Sequence, residues 1–229
     1  MNLDERLKKA QRLEKIPTYY LSEYIWRVLI IQKLILIPLT KTSITPNQVT
    51  AMGGIFVILS FLSLYLGHNV IAGFCYLAYS ILDHTDGILA RYKNLKSKLG
   101  SWMDSITDYT AWNGIFIFAY FIYDTSMFSL IFVLLSMNIY VQSGKRIFQK
   151  KLATLKTIHR FGIKKWFLER GFILGIDASL LAILISVMLF TAKVEFFCYL
   201  IGGIYIFEFI HRSIELYINI RLEKKDLSI

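Results

Sequence analysis

Residues 83–108 read DHTDGILARYKNLKSKLGSWMDSITD, and the fold and chemistry of the chain turn on how this stretch is understood. Asp83 and Asp86 stand three apart and Asp104 and Asp108 four apart, so each pair shares one face of a helix. The flanking segments are almost wholly apolar. Carboxylates in such surroundings are costly unless they are partnered, and four together repel one another or take up protons. A hard divalent cation removes the conflict, because Mg²⁺ and Mn²⁺ favour oxygen ligands. Gly100, Asp104 and Asp108 form one stripe; Asp83, Gly87 and Arg91 form another. Gly87, Ala90 and Gly100 add no bulk, which lets a ligand approach the backbone closely. Arg91 suits a phosphate or a polar base edge. Metal, small residues and an arginine together suggest a diphosphate substrate.

Working outward, the chain has 229 residues, 55% of them hydrophobic and 15% aromatic, with a mean hydropathy of +0.51. The apolar residues come in long runs, and about 18 or more in a row read as a membrane-spanning helix. Six such spans are expected, near residues 49–66, 70–90, 101–123, 127–141, 172–191 and 195–218. Residues 2–15 are charged and suit a short surface helix. From Tyr19 to Leu39 the apolar pattern is interrupted by Glu23, Arg27, Gln32 and Lys33, which favours an interfacial amphipathic helix over a span. Thr45 suits an N-cap and Pro46 the first helical position. The expected fold is an all-α integral membrane protein. Residues 1–44 form its cytoplasmic and interfacial lead, 45–220 its six-helix domain and 221–229 its tail. The N-terminus lacks the pattern of a signal peptide. Cys75 and Cys198 fall in expected spans with no disulfide or metal-site spacing, and read as packing residues.

The net charge of +10 could indicate nucleic acid, but the positions of the charges argue for a bilayer instead. Placing both termini in the cytoplasm puts every Lys and Arg except Lys193 on the cytoplasmic side, the bias that orients membrane proteins. Asp83 then lies about 12 Å below Arg91 along the second span, and Asp108 about 10 Å below Ser101 along the third. The carboxylates reach a similar depth, in a recessed polar pocket open to the cytoplasm. Two other readings remain open at this point. Ser101–Asp104 could be a capping box, its acid serving only the helix start. The acids could also line a cation path, as in a divalent-cation transporter, although none lies in the outer halves of the same helices.

The pattern Asp83-x2-Asp86-Gly87-x2-Ala90-Arg91-x8-Gly100-x3-Asp104-x3-Asp108 resembles the signature of the CDP-alcohol phosphotransferases, complete and correctly spaced. Thr45-Pro46-Asn47, the six expected spans and the leading helix extend the resemblance over most of the chain. The resemblance implies transfer of a substituted phosphoryl group from a CDP-linked alcohol to a second alcohol, with release of CMP, at the cytoplasmic membrane face. It implies that Asp83, Asp86 and Asp104 ligate one or two Mg²⁺ or Mn²⁺ ions, with Asp108 joining the site and acting as general base. It implies that Gly87, Ala90, Arg91 and Gly100, together with Asn47, border the nucleotide, and that the protein is a homodimer.

For the acceptor side the expectation is looser. Residues 145–165 are rich in Lys and Arg and hold no acid, which topology and anionic lipid explain on their own. The functional alternative places Lys145 or Arg146, with Arg170 and Arg212, against a phosphate-bearing acceptor. Asp177 is expected inside the fifth span as a polar contact between helices, and His84 as a neutral helix residue rather than a ligand. A CDP-diacylglycerol-type donor with a polar alcohol acceptor is the leading expectation. A soluble CDP-alcohol with a lipid acceptor is the alternative.

Overall fold

A computed structural model describes residues 19–148, 150–151, 154–155 and 159–226; the charged segment 2–15 lies outside them. Among the described residues there are eight helices and one pair of two-residue strands. Helix α1 covers residues 21–40, wound with the wider π geometry over Tyr24–Leu36. It is followed by α2 (Pro46–Tyr65) and α3 (Asn69–Lys93). Next comes α4 (residues 98–123), which has a π turn at Thr110–Gly114. Then come α5 (Met127–Phe148), α6 (Gly162–Leu168), α7 (Ala178–Thr191) and α8 (Val194–Asp226). Strand β1 (Tyr19–Tyr20) pairs in parallel with β2 (Phe172–Ile173), so the entry to α1 is pinned beside the entry to α7.

The helix limits follow from local chemistry. Thr45 caps α2 with Pro46 in its first turn, as expected, and Gln48 completes a capping box there. Gly67 (φ 78°) makes the turn out of α2, and Asn94 (φ 60°) ends α3 in the left-handed region that Asn tolerates. Ser97 caps α4 by accepting a bond from Gly100 N at 2.9 Å. Helix α4 therefore starts before Ser101, and Asp104 is not the acid of a capping box. The fifth span corrects the expectation. Residues 172–173 are strand, and α7 begins only at Ala178, because Asp177 caps it by accepting from Ser179 N and Leu180 N. Asp177 thus stands ahead of the helix rather than within it.

Among the described residues, three helices are long and apolar enough to cross a membrane by length and composition: Pro46–Tyr65, Met127–Phe148 and Val194–Glu223. Helices α3 and α4 carry the acidic stretch, and α7 has 14 residues. Helix α3 is the central rod. It packs along α2 on one side and α7 on another, while α5 packs against α8. The main core joins Tyr76, Phe116, Met137, Ile185 and Met188 from four helices, all buried. A smaller cluster of Ile31, Leu36, Val49, Ile88 and Leu89 seats α1 on the α2–α3 hairpin. In α1 Ser22, Glu23 and Arg27 point inward, while Lys33 is exposed. Glu23 and Arg27 are buried as a 2.9 Å ion pair, while Leu21, Ile25, Leu29 and Leu34 are exposed.

Gly202 lets α8 approach α5 closely, since a Cβ there would run into the Phe132 ring and touch Ser136 Oγ. Replacing it with leucine should cost about 1–3 kcal/mol by overpacking. Thermal unfolding in detergent micelles should show a lower melting temperature for Gly202→Leu than for the native chain.

Candidate active site

The site forms where the starts of α2 and α4 meet the end of α3. Lys93 Nζ, in the last turn of α3, donates to Thr42 O at 2.8 Å and Ile44 O at 2.7 Å, fastening the approach to α2. Ser97 Oγ, besides capping α4, donates to Asn47 Oδ1 at 3.1 Å. A Cβ on Gly100 would meet that same Asn47 oxygen, so a larger residue there would have to displace the Asn47 side chain. Between these termini lies a cavity of about 330 Å³. All five residues expected at the nucleotide, Asn47, Gly87, Ala90, Arg91 and Gly100, border it, beside Asp86 and Asp104.

The four aspartates divide into three and one. Asp83, Asp104 and Asp108 each offer a carboxylate oxygen, and these oxygens all lie within 4.8 Å of one another. Asp86 is turned toward α2, where its Oδ2 accepts from Thr50 Oγ1 at 2.5 Å. Asp108 Oδ1 accepts from the Tyr79 hydroxyl at 2.7 Å. Both donors are neutral, so neither offsets the carboxylate charge. Opposite oxygens on one Mg²⁺ lie about 4.2 Å apart, and farther apart on a larger ion, given bond lengths of about 2.1 Å or more. The three half-buried carboxylates therefore fit a hard divalent cation in both donor type and spacing. The expectation grouped Asp83, Asp86 and Asp104 as the first ligands; the geometry groups Asp108 with Asp83 and Asp104, and leaves Asp86 facing the cavity. Thr50 and Tyr79 were not singled out from the sequence, because a hydroxyl on an apolar helix gives no sign of the carboxylate it will meet.

His84 is held away from a ligand's role. Its Nδ1 lies 2.9 Å from Ser80 O, a carbonyl that can only accept, and its Nε2 lies 2.9 Å from Ser179 Oγ. The ring thus links α3 to α7, with Nδ1 also 3.5 Å from Asp83 Oδ2. Asp177 accepts from Ser22 Oγ at 2.5 Å, which makes it the contact between α7 and α1.

A second cavity of about 220 Å³ lies between the end of α8 and the segment 160–174. Arg212 borders it, donating to the Tyr20 hydroxyl at 3.1 Å with its guanidinium 5.4 Å from the Tyr140 ring centre. Burial raises the Tyr20 phenol above its ordinary pKa, against the pull of Arg212, so it is neutral near pH 7. Arg146 and Arg170, also expected at the acceptor, do not border this cavity. Arg170 is exposed, stacks 3.8 Å over Trp166 and donates to Trp166 O at 3.0 Å. Arg146 is exposed, and the side chain of Lys145 lies outside the described residues. Arg160 and Lys164 stand there instead, paired with buried Glu215 (2.6 Å) and Glu208 (2.8 Å). Glu208, Arg212, Glu215 and Asn219 recur at helical spacing on an apolar helix. That polar stripe was the sign in the sequence that cations must come to meet it.

The family model of the CDP-alcohol phosphatidyltransferases matches residues 43–210, most of the chain and all of the first cavity. The chain belongs to this family. It is similar to an archaetidylinositol phosphate synthase of Pyrococcus horikoshii, with 37% identity over 70 residues, 31% of this chain and 37% of that protein. It is also similar to an uncharacterized protein of Aquifex aeolicus, with 37% identity over 68 residues, 30% of this chain and 35% of that protein. Each match thus spans little more than a third of the relative's length. In a Mn²⁺ titration followed by electron paramagnetic resonance, Asp83→Asn and Asp104→Asn should each bind the ion more weakly than the native chain, and His84→Gln should bind it as the native chain does.

Proposed function

We propose that the chain is a membrane-embedded, divalent-metal-dependent CDP-alcohol phosphotransferase that joins a CDP-diacylglycerol-type donor to the hydroxyl of a polar alcohol and releases CMP. The observation that carries this reading is the Asp83–Asp104–Asp108 trio beside a cavity bordered by Asn47, Gly87, Ala90, Arg91 and Gly100. Six helical rods, α2 to α5 with α7 and α8, are read as spans, with both termini and the cavity mouth on the cytoplasmic side, where the Lys and Arg collect. Exposed apolar residues such as Ile58, Phe74, Phe121 and Phe128 then face lipid.

Arg91 and the bare backbone at Gly87 and Gly100 seat the cytidine diphosphate end of the donor, and Asp86, set by Thr50, borders the same space. Asp83, Asp104 and Asp108 would hold the metal, which when bound offsets diphosphate charge and stabilises the leaving phosphate oxygen. Asp108 takes the proton from the acceptor hydroxyl. The freed oxygen forms a bond to the phosphorus distal to cytidine, the bond from that phosphorus to the CMP oxygen breaks, and CMP leaves with the electron pair.

The acceptor reading is a phosphate-bearing polyol. It is supported by the Arg212, Arg160 and Lys164 lining of the second cavity and by the name of the Pyrococcus relative, an archaetidylinositol phosphate synthase. Labelled CDP-diacylglycerol offered with inositol phosphate, glycerol phosphate, serine or inositol should give a labelled lipid product with a phosphate-bearing polyol. Product only from a soluble CDP-alcohol and a lipid acceptor would reverse the assigned direction. Asp108→Asn removes the base, so calorimetry with saturating metal should find donor binding nearly intact and turnover lost. Asp86→Asn should weaken donor binding itself; equal loss of binding in both variants contradicts the division of roles.

A further inference from the structure

The Tyr79 hydroxyl bonds to the carboxylate trio, yet the reaction above leaves it without a part. Tyr79 lies on α3, one turn before Asp83, with its side chain buried in the main core. Its ring meets Tyr76 edge-on at 5.5 Å, yet the two phenols end differently. Tyr76 donates to a backbone acceptor, Ala111 O, at 3.2 Å, a bond that serves only to tie α3 to α4. Tyr79 crosses the same interface and ends at 2.7 Å on a carboxylate, Asp108 Oδ1.

Two properties of that bond matter. The last torsion of an aspartate is broad, so the plane of its carboxylate is set by partners rather than by the side chain's own rotamers. A buried hydroxyl on one oxygen supplies such a partner, and a hydrogen bond to an ionised acceptor is stronger than one between neutral groups. The donor is also uncharged at the group it holds. A lysine or arginine in its place would pair with Asp108 and compete with a cation for the same oxygens, whereas a phenol orients the carboxylate and leaves its charge in place. The Thr50 hydroxyl on Asp86 follows the same chemistry from α2.

We propose that Tyr79 is a positioning residue, whose hydroxyl fixes the Asp108 carboxylate in the plane in which it faces Asp83 and Asp104 and meets the acceptor's proton. The proposal rests on the role assigned to Asp108 above. Tyr79 touches neither substrate nor metal; it acts through Asp108.

Tyr79→Phe keeps the ring, its burial and the contact with Tyr76, and removes only the hydroxyl. The purified variant and native protein are compared for Mn²⁺ affinity by electron paramagnetic resonance, for kcat and donor KM, and for melting temperature without metal. Loss of a group that orients a ligand costs about tenfold to a hundredfold in metal affinity or activity. Such a fall in kcat together with weakened Mn²⁺ binding, at near-native donor KM and melting temperature, is the expected result. Native kcat and Mn²⁺ affinity in Tyr79→Phe overturn the proposal. So does a lower melting temperature with both values unchanged, which would make the bond a helix staple like that of Tyr76. Should native protein release no CMP from any donor, the reaction falls, and Mn²⁺ affinity alone then decides the role of Tyr79.

Discussion

Three carboxylate oxygens held within 4.8 Å of one another in an apolar helical bundle are the constraint to which the rest of this structure answers. Such a group does not lower its energy by packing, and left alone it repels by far more than a helix contact returns. The surrounding elements tolerate it because α3 is clamped along its length by α2 and α7, and because Lys93 ties its end to the carbonyls before α2. The partners of Asp86 and Asp108 are hydroxyls, from Thr50 and Tyr79. These bonds orient the acids without discharging them.

The α8 side resolves its buried acids in the opposite way. Glu208 and Glu215 are each matched by a cation, Lys164 and Arg160. Asn219 completes the row by donating to His159 O and accepting from His159 N, as a strand neighbour would. Buried ion pairs are weak evidence for stability but good devices for register. Here they fix where the segment 159–173 lies on α8, and β2 in turn pins β1 at the start of α1. On this side the buried acids Glu208 and Glu215 meet cations, while Arg212 turns to the Tyr20 hydroxyl.

Most of the first site was legible in the sequence because it is local. Spacings of three and four put Asp83 with Asp86 and Asp104 with Asp108 before any helix was seen, and the glycines and Arg91 lie on the same two stretches. Asn47 was legible through the Thr45-Pro46 start that positions it. What the spacing could not give was rotation between helices, which sends Asp86 to Thr50 and Asp108 to the trio. The fifth span was misplaced because apolar content alone does not distinguish Phe172–Ile173 in a strand from the same residues in a helix. The capping preference of Asp177 held the better clue. The second cavity stayed hidden because its cations come from a loop whose path depends on acids more than forty residues later in the chain.

The most direct test is CMP release from CDP-diacylglycerol by the native protein reconstituted in lipid vesicles, measured with Mg²⁺ or Mn²⁺ and again after chelation. The account predicts acceptor-dependent CMP release that stops on chelation, returns when metal is restored, and is absent from Asp83→Asn. CMP release unaffected by chelation, or undiminished in Asp83→Asn, would contradict the claim that the carboxylate trio serves the reaction by holding a divalent cation.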